Sequence, residues 1–286
     1  MSPPAGHAVD RDAVERVKPV KPDETIETVE SAESAEPVEP VEPVELPLAH
    51  VELSGPPSED CVILLHGLAR TASSMESMAD ALNGAGYRVA NVDYPSRHHR
   101  IQLLSDLAIP AGVEACGQAG ASRLQMVTHS LGGILVRDYL SRHRLKSLQR
   151  VVMLAPPNHG SAVVDNLQGV PGFHWLNGPA IQQLGTDAHS LPLQLGPATV
   201  DTAVIAGSRS VNLYLSTFLE NPDDGKVSVA SARLDGMCAM LVLTVSHPFI
   251  MSDAETIEQV LSYLADGRFT ASHAEYPDCR FRRPNG

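Results

Sequence analysis

The chain lacks any run of about eighteen apolar residues, so none of it reads as a membrane span. Nor does Met1 to Lys21 hold the apolar core that drives secretion, and the expectation is a cytoplasmic protein without stable membrane insertion. Positive charge is scarce as well: 21 Lys and Arg stand against 34 Asp and Glu, for a net charge of −13. That balance argues against nucleic acid or an anionic membrane surface as a partner. Cysteine is sparse and scattered. Cys61, Cys116, Cys238 and Cys279 show no C-x-x-C spacing, so neither a zinc site nor a disulfide framework is expected, with a single bridge such as Cys238 to Cys279 left open.

What is present is unevenly distributed over the 286 residues. Residues 1 to 48 hold twelve Asp or Glu against four Lys or Arg, which is eight of the thirteen net negative charges. Within them Glu36 to Glu45 reads EPVEPVEPVE, whose prolines cannot join a helix interior or a central strand and whose glutamates repel one another. The expectation is a disordered acidic tail over 1–48, extended and polyproline-like, ahead of one domain over 49–286.

From Val51 onward short apolar runs alternate with amphipathic stretches, the pattern of βαβ units wound into a mostly parallel sheet. Strands are expected at 61–65, 87–92, 124–128, 150–154, 199–206 and 240–245. Helices are expected at 74–85, 101–118, 131–143 and 254–264, where apolar residues recur at three and four. Residues 161–198 break the alternation with Pro171, Pro179, Pro192 and Pro197 and an exposed-looking apolar set of Val163, Val164, Phe173, Trp175 and Leu176. An insertion after a sheet strand is placed to cap a pocket, because sites in open α/β sheets lie beyond the carboxyl ends of the strands. The plainer alternative is that these side chains cover a sheet face.

The segment VTHSLGG, Val127 to Gly133, puts Ser130 between an apolar strand and a helix. A serine hydroxyl is a weak nucleophile until a base takes its proton and donors hold the developing oxyanion, so its turn must expose Oγ and start a helix at once. Gly132 and Gly133 suit close packing of that helix on the strand. Residues 128–132 resemble the G-x-S-x-G nucleophile elbow, with Thr128 in place of the first glycine and a slightly wider turn or shifted helix expected from it.

A base is expected in His247, which follows the last apolar run in a loop ahead of the final helix. His129 points away from an elbow, and His98, His99, His143 and His189 lie in polar loop or helix-surface contexts. Asp224 in NPDDGKVSV is the expected carboxylate for His247, with Asp223 its close rival and Asp235 less suitably placed near the last strand. One oxyanion donor is expected from the Leu131 amide at a helix start, and the other from Leu68, after the strand-ending His66-Gly67.

Taken in order, HGL, HSLGG, APPNHGS (155–161), DGKV and SHPFIM resemble the bacterial lipase and esterase branch of the α/β-hydrolase fold, over about 51–269. The resemblance implies a mostly parallel central sheet with helices on both faces and a small cap insertion. It also implies ester hydrolysis through an acyl-enzyme, with Ser130, Asp224 and His247 as a triad, the Leu68 and Leu131 amides as oxyanion hole, and a small-molecule or lipid ester as substrate. Some relatives carry a structural calcium, but no dense carboxylate cluster calls for a metal here, and no cofactor is expected. Apolar acyl esters are favoured because the insertion is apolar and nothing near it offers a cationic clamp. The same triad would serve a thioesterase or acyltransferase, and a non-catalytic binding protein on this fold is the remaining alternative.

Overall fold

The computed structural model of the protein describes residues 48–211 and 213–281. The tail expected over 1–48 therefore lies outside the described residues, save for Leu48. Seven strands form one sheet: β1 (His50–Ser54), β2 (Asp60–Leu65), β3 (Arg88–Asp93), β4 (Arg123–His129), β5 (Leu148–Leu154), β6 (Asp201–Gly207) and β7 (Ala239–Leu243), in the order β1-β3-β2-β4-β5-β6-β7. All neighbours are parallel except β1, which runs antiparallel to β3 along the edge. The expected parallel α/β architecture is present. β1 was not expected as a strand, because HVELS has no apolar run and is held by pairing on one side only.

Successive side chains of a strand point to opposite faces, and this sorts the core. Ile63 and Leu65 of β2 join Val92 and Met126 on one face, under α2 (Ile101–Gln118) and α3 (Leu131–Arg142). Val62 and Leu64 join Val127, Val152 and Ile205 on the other, under α1 (Glu76–Gly84) and the last long helix, Ala254–Asp266. Burial on both faces explains why the inner strands read as unbroken apolar runs. The α2 helix runs on through Pro110 and lies so close to β2 that a Cβ on Gly112 would sit 2.7 Å from Ile63.

The same contact is crosslinked by Cys61–Cys116, and a second disulfide, Cys238–Cys279, ties the start of β7 to the C-terminal segment. The reading that no disulfide framework exists is thus overturned: all four cysteines are paired. Their separations of 55 and 41 residues carry no signature, and only packing brings the Cα atoms to 5.9 and 4.8 Å. Crosslinks closing loops of this length typically contribute about 2–4 kcal/mol.

The irregular stretch holds three short helices, α4 (Ala162–Leu167), α5 (Phe173–Asn177) and α6 (Leu191–Gln194), with a 3-10 turn at 179–183. Its apolar set divides: Val163 and Val164 are buried, whereas Trp175 and Leu176 are exposed at 88% and 57%. After β6 come α7 (Leu213–Ser216) and α8 (Val229–Ala232), and the last helix is α9 (Ala254–Asp266). Among the described residues no helix is long and apolar enough to cross a membrane.

Candidate active site

Strand order reverses direction at β2, with β3 on one side and β4 on the other, and the crevice above their carboxyl ends is where such sheets place ligands. Ser130 stands there, between β4 and α3, at φ 51° and ψ −116°. A non-glycine residue at positive φ is strained and persists only where its surroundings hold it. Here its N–H donates to Leu154 O at 2.8 Å and its carbonyl accepts from Gly133 N at 3.0 Å. Gly132 is obligatory, since a Cβ would meet Leu65 O at 2.6 Å. Thr128 stays in register with Leu65 and Met153. Room for it exists because Gly133 has no side chain: a Cβ there would come within 3.3 Å of Thr128 Oγ1.

His247 Nε2 lies 3.1 Å from Ser130 Oγ, and His247 Nδ1 lies 2.8 Å from Asp224 Oδ2. With Nδ1 donating to the carboxylate, Nε2 is left as acceptor for the serine hydroxyl, the tautomer a general base requires. Asp224 is buried, and its other oxygen accepts from the N–H groups of Lys226 (3.0 Å) and Val227 (2.8 Å). The His247 N–H donates to the Asp224 carbonyl at 3.0 Å, so acid and base loops are joined through their backbones too. Asp223 faces elsewhere, accepting from Ser216 Oγ at 2.6 Å and Gly225 N at 2.7 Å. Of the two rivals, Asp224 is the one whose carboxylate meets His247. Asp235 is exposed, and its carbonyl accepts from Ala198 N.

Leu68 and Leu131 meet at this turn. A Cβ on Gly67 would lie 3.3 Å from Ser130 Cβ, so the HGL segment abuts the elbow. Among the described residues neither the Leu68 nor the Leu131 N–H has a hydrogen-bond acceptor. His66 braces the segment from below. Its Nδ1 donates to Gly67 O at 2.8 Å, its Nε2 accepts from Tyr94 N at 3.3 Å, and its ring stacks on Tyr94 at 4.0 Å. Burial lowers the His66 pKa, which agrees with this neutral form, and burial raises that of Tyr94, whose hydroxyl donates to the His66 carbonyl.

Three further residues carry the arrangement, and the sequence reading gave none of them that part. His129 turns away from the serine, as expected, yet its Nε2 donates to the His247 carbonyl at 3.1 Å; burial, followed by the charges of His247, Lys226 and Arg70, holds its pKa well below the usual histidine value. Gly207, at the end of β6, lets the acid loop close in, since a Cβ would lie 2.4 Å from Val245 O and 2.9 Å from Asp224 Cβ. Ser161 Oγ donates to Lys226 O at 2.7 Å, joining the APPNHGS segment to that loop. An apolar–glycine step at a strand end is a weak signal for the second of these, and the other two have none.

The 161–198 insertion docks on the loop after β3. Gln183 Oε1 accepts from Ile101 N at 2.8 Å, and Gly178 passes so close to Arg97 O that a Cβ would sit 1.7 Å away. Arg137 of α3 anchors its far end, donating to Asn158 O (2.9 Å), Pro192 O (2.8 Å) and Gly196 O (3.0 Å). Burial pulls the Arg137 pKa down to about 10, which still leaves it charged at neutral pH.

No family model matches the chain, and no curated protein does. Among solved structures it is similar to the mature lipase BlEst2 of Bacillus licheniformis, at 19% identity and a TM-score of 0.55 over 76% of this chain and 96% of that one. Lipase B of Aspergillus fumigatus matches at 16% identity and a TM-score of 0.57, over 78% of this chain and 57% of that lipase. An α/β-hydrolase fold protein from Chitinophaga pinensis matches at 10% identity and a TM-score of 0.52, over 77% and 96%. The chain has the α/β-hydrolase fold.

Proposed function

We propose that this protein is a serine carboxylester hydrolase that cleaves apolar acyl esters through an acyl-enzyme on Ser130. The observation that carries the reading is the unbroken line of hydrogen bonds from the buried Asp224 through His247 to Ser130 Oγ. Ser130 Oγ attacks the ester carbonyl while His247 Nε2 takes its proton, and the Leu68 and Leu131 N–H groups hold the oxyanion. Collapse breaks the bond to the alcohol, which leaves with the proton from His247. Water then attacks the acyl-serine, again giving its proton to His247, and the acid departs as Ser130 is restored. Asp224 remains ionised throughout, orienting the imidazole and stabilising its cation.

Apolar substrates are favoured by the exposed Trp175 and Leu176 of the insertion, and lipases occur among the structures of the same fold. Two disulfides weigh against the cytoplasmic expectation, because such bonds persist mainly in oxidising compartments. We place the working protein there.

The test is hydrolysis of p-nitrophenyl esters from acetyl to palmitoyl by the wild type and Ser130→Ala. The variant is expected to lose at least about 10⁴-fold in kcat with an unchanged melting temperature. Wild-type turnover in the variant, or none in either protein on oxygen esters, would overturn the reading; turnover of thiol esters alone would make it a thioesterase.

A further inference from the structure

One buried ring stands between two loops that the hydrolysis needs. His129 ends β4, directly before Ser130, and is 2% exposed. On one side its Nε2 donates to the His247 carbonyl at 3.1 Å, and the two imidazole rings lie 4.9 Å apart between centroids, tilted by 51°. On the other side it lies against Gly67, where a Cβ would come 2.7 Å from His129 Nδ1 and 3.1 Å from its Cε1. Among the described residues Nδ1 has no hydrogen-bond partner, so this edge of the ring meets the loop by shape alone.

These contacts give one side chain a hold on both loops. Gly67 precedes Leu68, whose N–H is assigned to the oxyanion, and the Gly67 carbonyl accepts from His66 Nδ1 at 2.8 Å and from the Arg70 N–H at 3.2 Å. Gly67 does not have a positive φ, so its backbone is open to any residue. What excludes a side chain there is the His129 ring, together with Ser130 Cβ at 3.3 Å. His247 lies across the ring, joined to Asp224 through its imidazole and through its own N–H. Those bonds fix the base against the acid loop. Its distance from the oxyanion loop, which follows a different strand, is spanned by His129.

We propose that His129 is a positioning residue, setting the spacing between the oxyanion loop at Gly67–Leu68 and the base His247. It acts through those two residues rather than on the ester. The proposal rests on the ester hydrolase reading and goes beyond it by adding a residue outside the triad and the oxyanion donors.

The test is kinetics on p-nitrophenyl acetate, with melting temperatures measured alongside. A misplacement of about 1 Å can cost about 10²-fold in rate. His129→Leu, which loses the donor, is expected to lower kcat by about that factor while KM stays within about threefold. His129→Gln, whose amide can donate to the same carbonyl, should recover most of the loss. Gly67→Ala drives a Cβ into the ring and should also lower kcat by about 10²-fold. With His129→Ala completing the cycle, Gly67→Ala/His129→Ala is expected to lose no more than the worse single variant, whereas independent effects would multiply to about 10⁴-fold. Wild-type kcat in either His129→Leu or Gly67→Ala, equal losses in His129→Leu and His129→Gln, or losses that multiply in the cycle would each overturn the proposal while leaving ester hydrolysis intact. If His129→Leu fails to fold, the Gly67 cycle carries the test. If no ester is turned over, the low-field proton NMR signal of the His247 Nδ1–H on Asp224 decides without a substrate. A signal shifted or broadened in Gly67→Ala supports the spacing role, and an unchanged one overturns it.

Discussion

The carboxyl end of the sheet and the 161–198 insertion lie side by side and are held to different degrees. At the sheet end each residue of the proposed triad is fixed from two or more directions: Asp224 by two backbone amides and His247, His247 by Asp224 and His129, Ser130 by Leu154 and Gly133. The insertion is built of helices of four to six residues and a 3-10 turn, and no residue of its α5 is fully buried. It joins the fold through a few buried apolar side chains, Val164, Ala180, Ile181 and Leu184, and through polar contacts of Ser161, Gln183 and Arg137. Chemistry needs geometry held within fractions of an ångström, whereas a surface that receives varied acyl groups gains from adjustable side chains. The molecule surrounds the first on every side and leaves Trp175 and Leu176 of the second exposed.

The largest effect should come from the rigid side. Asp224→Asn is expected to lower kcat by about 10³–10⁴-fold, since the neutral amide neither stabilises the imidazolium nor holds its tautomer. Asp223→Asn should cost at most about tenfold, because Asp223 faces Ser216 and Gly225 rather than His247. Steady-state kinetics of the two variants side by side checks this, and equal losses would mean that the loop, not the carboxylate, is what matters.

Next is the anchor between the regions. Arg137→Leu strips the donors from three carbonyls and should reduce unfolding free energy by about 2–4 kcal/mol in urea titration. Limited proteolysis within 161–198 should accelerate, and hydrolysis of a short acyl ester should fall less than stability does.

Acid separates the regions without mutation. His66 and His129 have pKa values lowered in the folded state by burial, so the native protein binds fewer protons than the unfolded chain. Stability is then fully present above the unfolded value of about 6.5 and is lost as pH falls below it. Melting temperatures between neutral and mildly acidic pH should fall, and His129→Gln should flatten the slope. The smallest effect is reserved for the open side: Trp175→Ser should change stability by no more than about 0.5 kcal/mol. Its consequence is expected in turnover of long acyl chains relative to acetyl, measured across the ester series.

Much of this was legible in the chain. Ser130, the alternating strands and α2 carry local signals, because a nucleophile on a tight turn needs glycines beside it and a buried strand needs apolar residues on both faces. The last helix was readable from period alone, and its Asp253 cap, accepting from Thr256 N at 2.9 Å, was not needed to find it. The edge strand β1 escaped notice because its order comes from pairing with β3 rather than from its own composition.

Asp223 and Asp224 show where local reading stops. Both sit in one turn, both are buried, and both bond backbone amides; which carboxylate meets His247 depends on the path of the 208–228 loop past Gly207. The disulfides are of the same kind. What the sequence determined alone is the inner strands, the long helices and the turn that presents Ser130, since helix period, strand alternation and turn chemistry act between residues a few positions apart. Which carboxylate meets His247, which cysteines pair and which serine His247 reaches was decided only by the tertiary structure, because each joins residues tens to more than a hundred positions apart and exists only once the sheet has set its strand order and register.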